Sequence, residues 1–222
     1  MKHCGYEMFF ETARFWASRV EFNKRKGVYE IKRVIGPDEF HIEVDNNAYT
    51  NMMAKWNLIT AHKIFYNNIR GKASSYGHLI KRLCLKEQEV RQWRKIASKI
   101  GINIKKDKLI EQFDGYFKLR KSIPARTDEN GIPLMPIKLK AKDLGKTQLV
   151  KQADVLMLLY LLDDVFNLET KRKNYEFYGV RTVHKSSLSP SVHSLVACEV
   201  EDLHKAYNFF NVALRADISN LY

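Results

Sequence analysis

A mainly α-helical body is what the sequence predicts, and three observations carry that expectation. Apolar residues return with a helical period along most of the chain, only a few short β elements are expected, and long loops separate the helical segments. Its 222 residues are 45% hydrophobic and 12% aromatic, with 10 Gly and 5 Pro, which suits one or two packed domains and excludes disorder. A chain of this size buries roughly 70% of the surface its unfolded form exposes and needs no covalent staple. Cys4, Cys84 and Cys198 are an odd number without a C-x-x-C pair, so reduced thiols are expected rather than disulfides or zinc.

Taken in order, Met8, Phe9, Phe15, Trp16 and Val20 share one face of a helix over roughly 6–22. Val28 to Ile35 reads as a short strand element, broken by the turn signal Gly36-Pro37. Tyr49, Met52, Met53, Trp56, Ile59, Phe65 and Ile69 predict the longest helix, from Asn47 to Arg70, with Gly71 as its stop. A helix over 85–100 follows. Residues 101–136 are irregular, with a turn at Asp128-Glu129-Asn130-Gly131. A helix from Thr147 to Phe166, apolar nearly all round beyond Ala153, is expected to be buried, and shorter helices are expected near 169–178, 190–199 and 202–216.

Net charge is +13, and its distribution is uneven. Residues 51–150 carry 22 basic against eight acidic groups, whereas both flanks are near neutral. Such a block could attract nucleic acid or another polyanion, although solvated surface lysines give the same count. The start, Met1 to Glu7, has no apolar run, and the longest uncharged apolar stretch, Val155 to Leu162, is eight residues against the roughly 20 of a membrane span. A soluble cytoplasmic protein without membrane contact is expected.

Three constellations carry chemistry. Gly36-Pro37-Asp38-Glu39-Phe40-His41 with Glu43 and Asp45 puts four carboxylates within eight residues on a pinned loop. A partly desolvated carboxyl can act as a general acid near neutral pH; equally, the segment is a turn followed by Asp45 and Asn46 as helix caps. His184-Lys185-Ser186-Ser187-Leu188-Ser189-Pro190 offers a phosphate cradle, with Ser189 as N-cap and Pro190 as first helical residue leaving backbone N–H groups free. The alternative is a capped helix with a polar lead-in. Lys151-Gln152-Ala153-Asp154 must find partners on entering a buried helix, and either sugar hydroxyls or an internal ion pair would serve.

Together with Glu11 to Trp16, Asp45-Asn46-Asn47-Ala48-Tyr49-Thr50-Asn51 and Gln112-Phe113-Asp114-Gly115-Tyr116, these segments stand in the order of motifs in a known family. From about Gly5 to Tyr222 the chain resembles the inverting disaccharide phosphorylases of the maltose, trehalose and kojibiose phosphorylase group, glycoside hydrolase family 65. The resemblance implies the later part of an (α/α)6 barrel, with the family's N-terminal β-sandwich, early barrel helices and C-terminal part absent from residues 1–222. It implies reversible inverting phosphorolysis of an α-linked glucose disaccharide, of maltose, trehalose, kojibiose or nigerose type, to β-glucose 1-phosphate and glucose.

By the same resemblance Glu39 matches the general acid, and Lys151, Gln152 and His41 match positions that bind the substrate sugar. His184, Ser186 and Ser187 match the phosphate-binding segment. No cofactor or metal is implied, inorganic phosphate being the co-substrate, and a homodimer of the full-length enzyme is compatible with the family. Ile42 stands where an acidic residue is frequent and Lys185 where Asp is common. Phosphate is already an anion and can attack the anomeric carbon directly, so one acid and an electropositive cradle suffice where a hydrolase needs two carboxyls. A trehalose-like hydrolase of the same fold and a basic helical nucleic-acid-binding module are the competing readings, and the truncated chain is expected to be inactive alone.

Overall fold

The computed structural model describes residues 4–70, 73–129, 133–184, 186–216 and 218. Gly71, Lys185 and the Asn130-Gly131 half of the expected turn lie outside the described residues. The chain divides into two units, Met1–Lys32 with Thr50–Gly101, and Arg33–Tyr49 with Ile102–Tyr222.

In the first unit α1 (Cys4–Arg19) runs into a hairpin of β1 (Glu21–Asn23) and β2 (Val28–Glu30), paired antiparallel with Phe22 opposite Tyr29. Gly27 makes the turn at φ +70°, a conformation that costs a residue without a β-carbon little. α2 (Ala48–Ile64), whose first two residues count with the other unit, passes into a π-helical turn, Phe65–Ile69, closed by Arg70 N–H donating to Phe65 O at 2.7 Å. α3 (Ala73–Leu83) and α4 (Glu87–Lys99) complete the unit.

Its core is continuous. Phe10, Leu58, Ile69, Val90 and Trp93 are almost fully buried in one cluster, with the Phe10 and Trp93 rings stacked at 6.0 Å. Arg14 of α1 sits at the rim and grips the Glu89 carboxylate with Nε at 3.0 Å and Nη2 at 2.7 Å, while Nη2 also reaches Leu83 O at 2.8 Å. That fork ties α1 to α4 and to the end of α3, a geometry Lys could not reproduce.

The second unit is built around α5 (Val155–Leu161), α6 (Leu168–Gly179), α7 (Leu188–Glu199) and α8 (Leu203–Arg215). α5 packs on α6 and α7, and α7 on α8. The rest is irregular chain with three short 3-10 turns among the described residues (Tyr116–Lys118, Ala141–Lys146, Asp163–Val165), and its backbone groups are satisfied by isolated bridges and buried polar side chains. Asn174 takes Ile110 N–H on Oδ1 and donates to Lys108 O, both at 2.9 Å; Tyr178 donates to Ile110 O and Tyr116 to Gln148 O.

Three expectations need correction. The helix expected over 147–166 shrinks to α5, because residues 147–151 spend their backbone groups sideways: Gln148 N–H goes to Arg120 O, Val150 N–H to Arg181 O, and Val150 O accepts Val183 N–H. An intrahelical ladder cannot use groups already taken. α3 went unexpected, since Ser and Gly77 weaken its local propensity and burial of Leu79 and Leu83 compensates. The helix expected from 190 begins at Leu188, with Ser189 and Pro190 inside its first turn. At the entry to α2, Asp45 Oδ1 accepts from Arg33 N–H, Asn46 donates to Asp114, and Ala48 N–H finds Gln112 O.

Replacing Trp93 by Ala is expected to cost about 3–5 kcal/mol by emptying the first unit's core, read as a lower urea midpoint for loss of ellipticity.

Candidate functional site

The loop after Gly36-Pro37 is held from inside. Asp38 is 1% exposed and its carboxylate takes four donors. Oδ1 accepts the N–H of Lys151 at 2.8 Å and of Phe40 at 3.2 Å; Oδ2 accepts Gln112 Nε2 at 2.9 Å and pairs with His41 Nδ1 at 2.6 Å. His41 Nε2 donates to Thr147 O at 2.8 Å. Both ring nitrogens therefore face acceptors. Burial alone would lower the His41 pKa, but the Asp38 hydrogen bond, its charge and the Thr147 carbonyl outweigh that and raise it. The ring is enclosed by Phe113 at 5.0 Å and Tyr116 at 5.9 Å, leaving no nitrogen for a ligand.

A second carboxylate lies behind the first. Asp154, just before α5, accepts from Asp38 N–H at 3.3 Å and from Asn47 Nδ2 at 3.1 and 3.3 Å. Burial and the neighbouring Asp38 charge push its pKa up to about 7, against the opposing pull of those donors and of His41. Gly36 passes so close that a β-carbon would collide with the Asn47 amide and the Asp154 carboxylate, which is why no larger residue fits there.

Outward from this hub the exposed groups appear. Glu39 pairs with the Lys151 ammonium, with its side chain 52% exposed and that of Lys151 25%. Gln152 Nε2 donates to Pro37 O. Segment 151–154 is thus laced to 37–39 on one side, and on the other Ala153 N–H donates to Ser189 Oγ at 3.2 Å in the first turn of α7. The structure brings Glu39, Lys151 and Gln152 together directly, and ties the 184–190 segment to the same short strip of chain.

That segment is split between inside and outside. His184 is 3% exposed, its Nδ1 3.0 Å from Ser189 Oγ and its ring against His193 and Phe209. Burial and then His193 hold its pKa well below the ordinary value, so it is a neutral imidazole. Ser186 is half-buried and Ser187 exposed. The free N–H groups expected here are partly consumed: Leu188 N–H reaches Ser186 Oγ at 3.4 Å and Ser189 N–H reaches Ser186 O at 3.2 Å, while Pro190 has none.

The residues that hold the site, Asp38, Asn47, Gln112 and Asp154, stand in the motifs quoted above, yet nothing in their spacing reveals that they meet. Positions 38, 47, 112 and 154 belong to no shared period, and only their burial as polar residues marks them.

Comparison with known proteins gives a consistent picture. Residues 1–222 match the profile described as "Glycosyl hydrolase family 65 central catalytic domain". The chain is 46% identical over 220 residues to the kojibiose phosphorylase of Thermoanaerobacter brockii, covering 98% of this chain and 28% of that protein. It is 36% identical over 231 residues to the 1,2-alpha-glucosylglycerol phosphorylase of Bacillus selenitireducens (97% and 28%) and 34% over 221 to the maltose phosphorylase of Bacillus subtilis (99% and 28%). A solved structure from the human microbiome, described as a candidate kojibiose phosphorylase, superposes with a TM-score of 0.83 at 32% identity, over 97% of this chain and 28% of that one. The chain thus spans little more than a quarter of the length of the curated relatives it matches.

Burial pulls the His193 pKa from 6.5 to about 4. The unfolded chain therefore takes up a proton between those values that the folded one refuses, so this stability is present above pH 6.5 and lost as pH falls toward 4. The loss is up to about 3 kcal/mol. Urea midpoints measured against pH should fall more steeply in wild type than in His193→Asn, a difference that cancels the opposite contribution of Asp154.

Proposed function

The chain belongs to glycosyl hydrolase family 65 as part of its central catalytic domain, and on that premise we propose that it contributes the acid and the phosphate segment for inverting phosphorolysis of an α-linked glucose disaccharide. Its mainly helical fold is correspondingly part of an α/α barrel. The observation that supports the reading most directly is the lacing of segment 151–154 to both the Glu39 loop and the first turn of α7. A donor for the departing oxygen and a cradle for the nucleophile need such a common support to hold a fixed separation across one sugar ring.

Under this reading Glu39 protonates the glycosidic oxygen. Lys151 and Gln152 exchange their present partners, Glu39 and Pro37 O, for hydroxyls of the glucosyl unit. Ser186 and Ser187 donate to orthophosphate, whose oxygen attacks the anomeric carbon from the opposite face, so the configuration inverts and β-glucose 1-phosphate leaves with the free sugar. His41 and His184 act from beneath: the first fixes Asp38 and so the Glu39 loop, the second fixes Ser189 and so the start of α7. Kojibiose, maltose, trehalose and nigerose are the substrates to compare, since relatives carry those names. Phosphate and the disaccharide are the only partners the reading needs, in a soluble cytoplasmic enzyme without a metal.

The test is made in the complete protein. Cleavage of these disaccharides should require orthophosphate and release β-glucose 1-phosphate, visible by its anomeric proton signal; cleavage indifferent to phosphate would make the protein a hydrolase. Glu39→Gln should lower turnover by about 10²–10⁴-fold with folding intact. Ser186→Ala with Ser187→Ala should raise KM for phosphate several-fold more than KM for disaccharide, and equal effects would remove those hydroxyls from the phosphate site.

A further inference from the structure

The excess positive charge of the middle of the chain has no part in the chemistry above, and in the first unit it collects in one place. A groove of about 720 Å³ is lined by Tyr66, Arg70, Arg91, Arg94 and Lys95 with His62. A second, of about 390 Å³, shares His62, Tyr66 and Arg94 with it and adds Lys55 and Lys63. One wall is α2 with its π-helical turn, the other is α4. From Lys55 to Arg70 the first wall runs roughly 20 Å.

Charge is unbalanced along this groove. Glu87 stands at one end, taking Arg91 Nη2 at 2.7 Å, Arg70 Nη2 at 3.6 Å and the Tyr66 hydroxyl at 3.0 Å. Lys63, Arg94 and Lys95 have no carboxylate partner among the described residues. Arg91, Arg94 and Lys95 stand three and four residues apart on one face of α4, where like charges repel. His62 feels the same field: burial, and then Arg94, lower its pKa, so the imidazole is neutral and the arginines and lysines supply the charge. A π-helical turn is a local departure often found at functional sites, and here it carries Tyr66 and precedes Arg70.

We propose that this groove binds a linear polyphosphate-type anion, a series of phosphate groups without an attached base. Planar guanidinium forks on α4 match phosphate oxygens in pairs, and cations spread along about 20 Å engage several phosphates where a single orthophosphate meets only one or two. Single-stranded nucleic acid is the poorer fit because its bases need an uncovered ring to stack on. The Tyr66 ring already has His62 at 4.6 Å and the Arg70 guanidinium at 5.2 Å from its centroid. Every groove residue lies in the first unit, whereas Glu39, Lys151 and the 184–190 segment lie in the second, so the proposal stands whether or not phosphorolysis does.

The experiment is calorimetric titration of the purified chain with inorganic tripolyphosphate, a longer polyphosphate, orthophosphate and a single-stranded RNA of matched charge. In about 50 mM salt the longer polyphosphate should bind about tenfold tighter than orthophosphate, with log affinity falling linearly against log salt concentration. Arg94→Glu with Lys95→Glu should weaken polyphosphate binding by about tenfold or more and flatten the salt slope. Lys138→Glu with Lys140→Glu makes the same change in net charge on exposed lysines of the second unit and should alter affinity by no more than about twofold. Both pairs are exposed, so circular dichroism should match wild type; should the first pair unfold the chain, Arg94→Gln with Lys95→Gln replaces it with the same expected direction. Equal losses in the two charge-reversed variants, RNA binding as tightly as polyphosphate, or no polyphosphate binding would each overturn the proposal.

Discussion

A buried carboxylate is the constraint around which the second unit is arranged. Taking the Asp38 charge out of water costs several kcal/mol unless its lone pairs are met, and they are met by donors from three distant parts of the chain: the loop itself, Gln112, and the backbone of Lys151. Each donor is worth little alone. Together they oblige residues 36–41, 112 and 147–151 to meet at one point, because any arrangement that drops one leaves a buried carboxylate lone pair without its donor. The irregular backbone of this unit follows from that demand, since segments committed to a carboxylate cannot also close a helical ladder.

The same constraint separates support from chemistry. Asp38, Asp154, His41, Asn47 and Gln112 lie below the surface and are bonded to one another; Glu39, Lys151 and Ser187 lie at its edge, each one or two residues along the chain from a buried one. Such an arrangement lets an exposed group keep its place without burying it. Histidines illustrate how environment divides one residue type. His41, flanked by two acceptors, is driven toward the cation, while burial holds His184 and His193, packed at a tilt against Phe209, neutral.

Local pattern and tertiary demand agree in most of the first unit, α3 apart, and part company in the second. The helical period of Phe9, Phe15 and Trp16 is a local signal, and α1 answers it as a helix, although the residues it buries fully are Phe10 and Ala13 while Phe15 is 54% exposed; the stripe on α4 puts Val90, Trp93, Ile96 and Ala97 inward. Thr147 to Asp154 carry an equally helical-looking pattern, yet bridges to Arg120 and Thr182 and bonds to Asp38 pull them straight. Ser189 shows the reverse. Its type predicts a cap, but its hydroxyl is turned inward to Ala153 and His184.

By itself the sequence determined that the chain is mainly helical, where most of its helices run, and which motifs carry the family resemblance, because those properties are written in short stretches of neighbouring residues. Only the tertiary structure decided that Asp38, Gln112 and Asp154 form one buried network, that His41 and His184 face inward while Glu39 faces out, and that the cations of α2 and α4 share a groove. Periodicity reports which side of an element is apolar; which distant polar groups must meet is set by the cost of burying them unpaired, and that cost is settled only when the whole chain is folded.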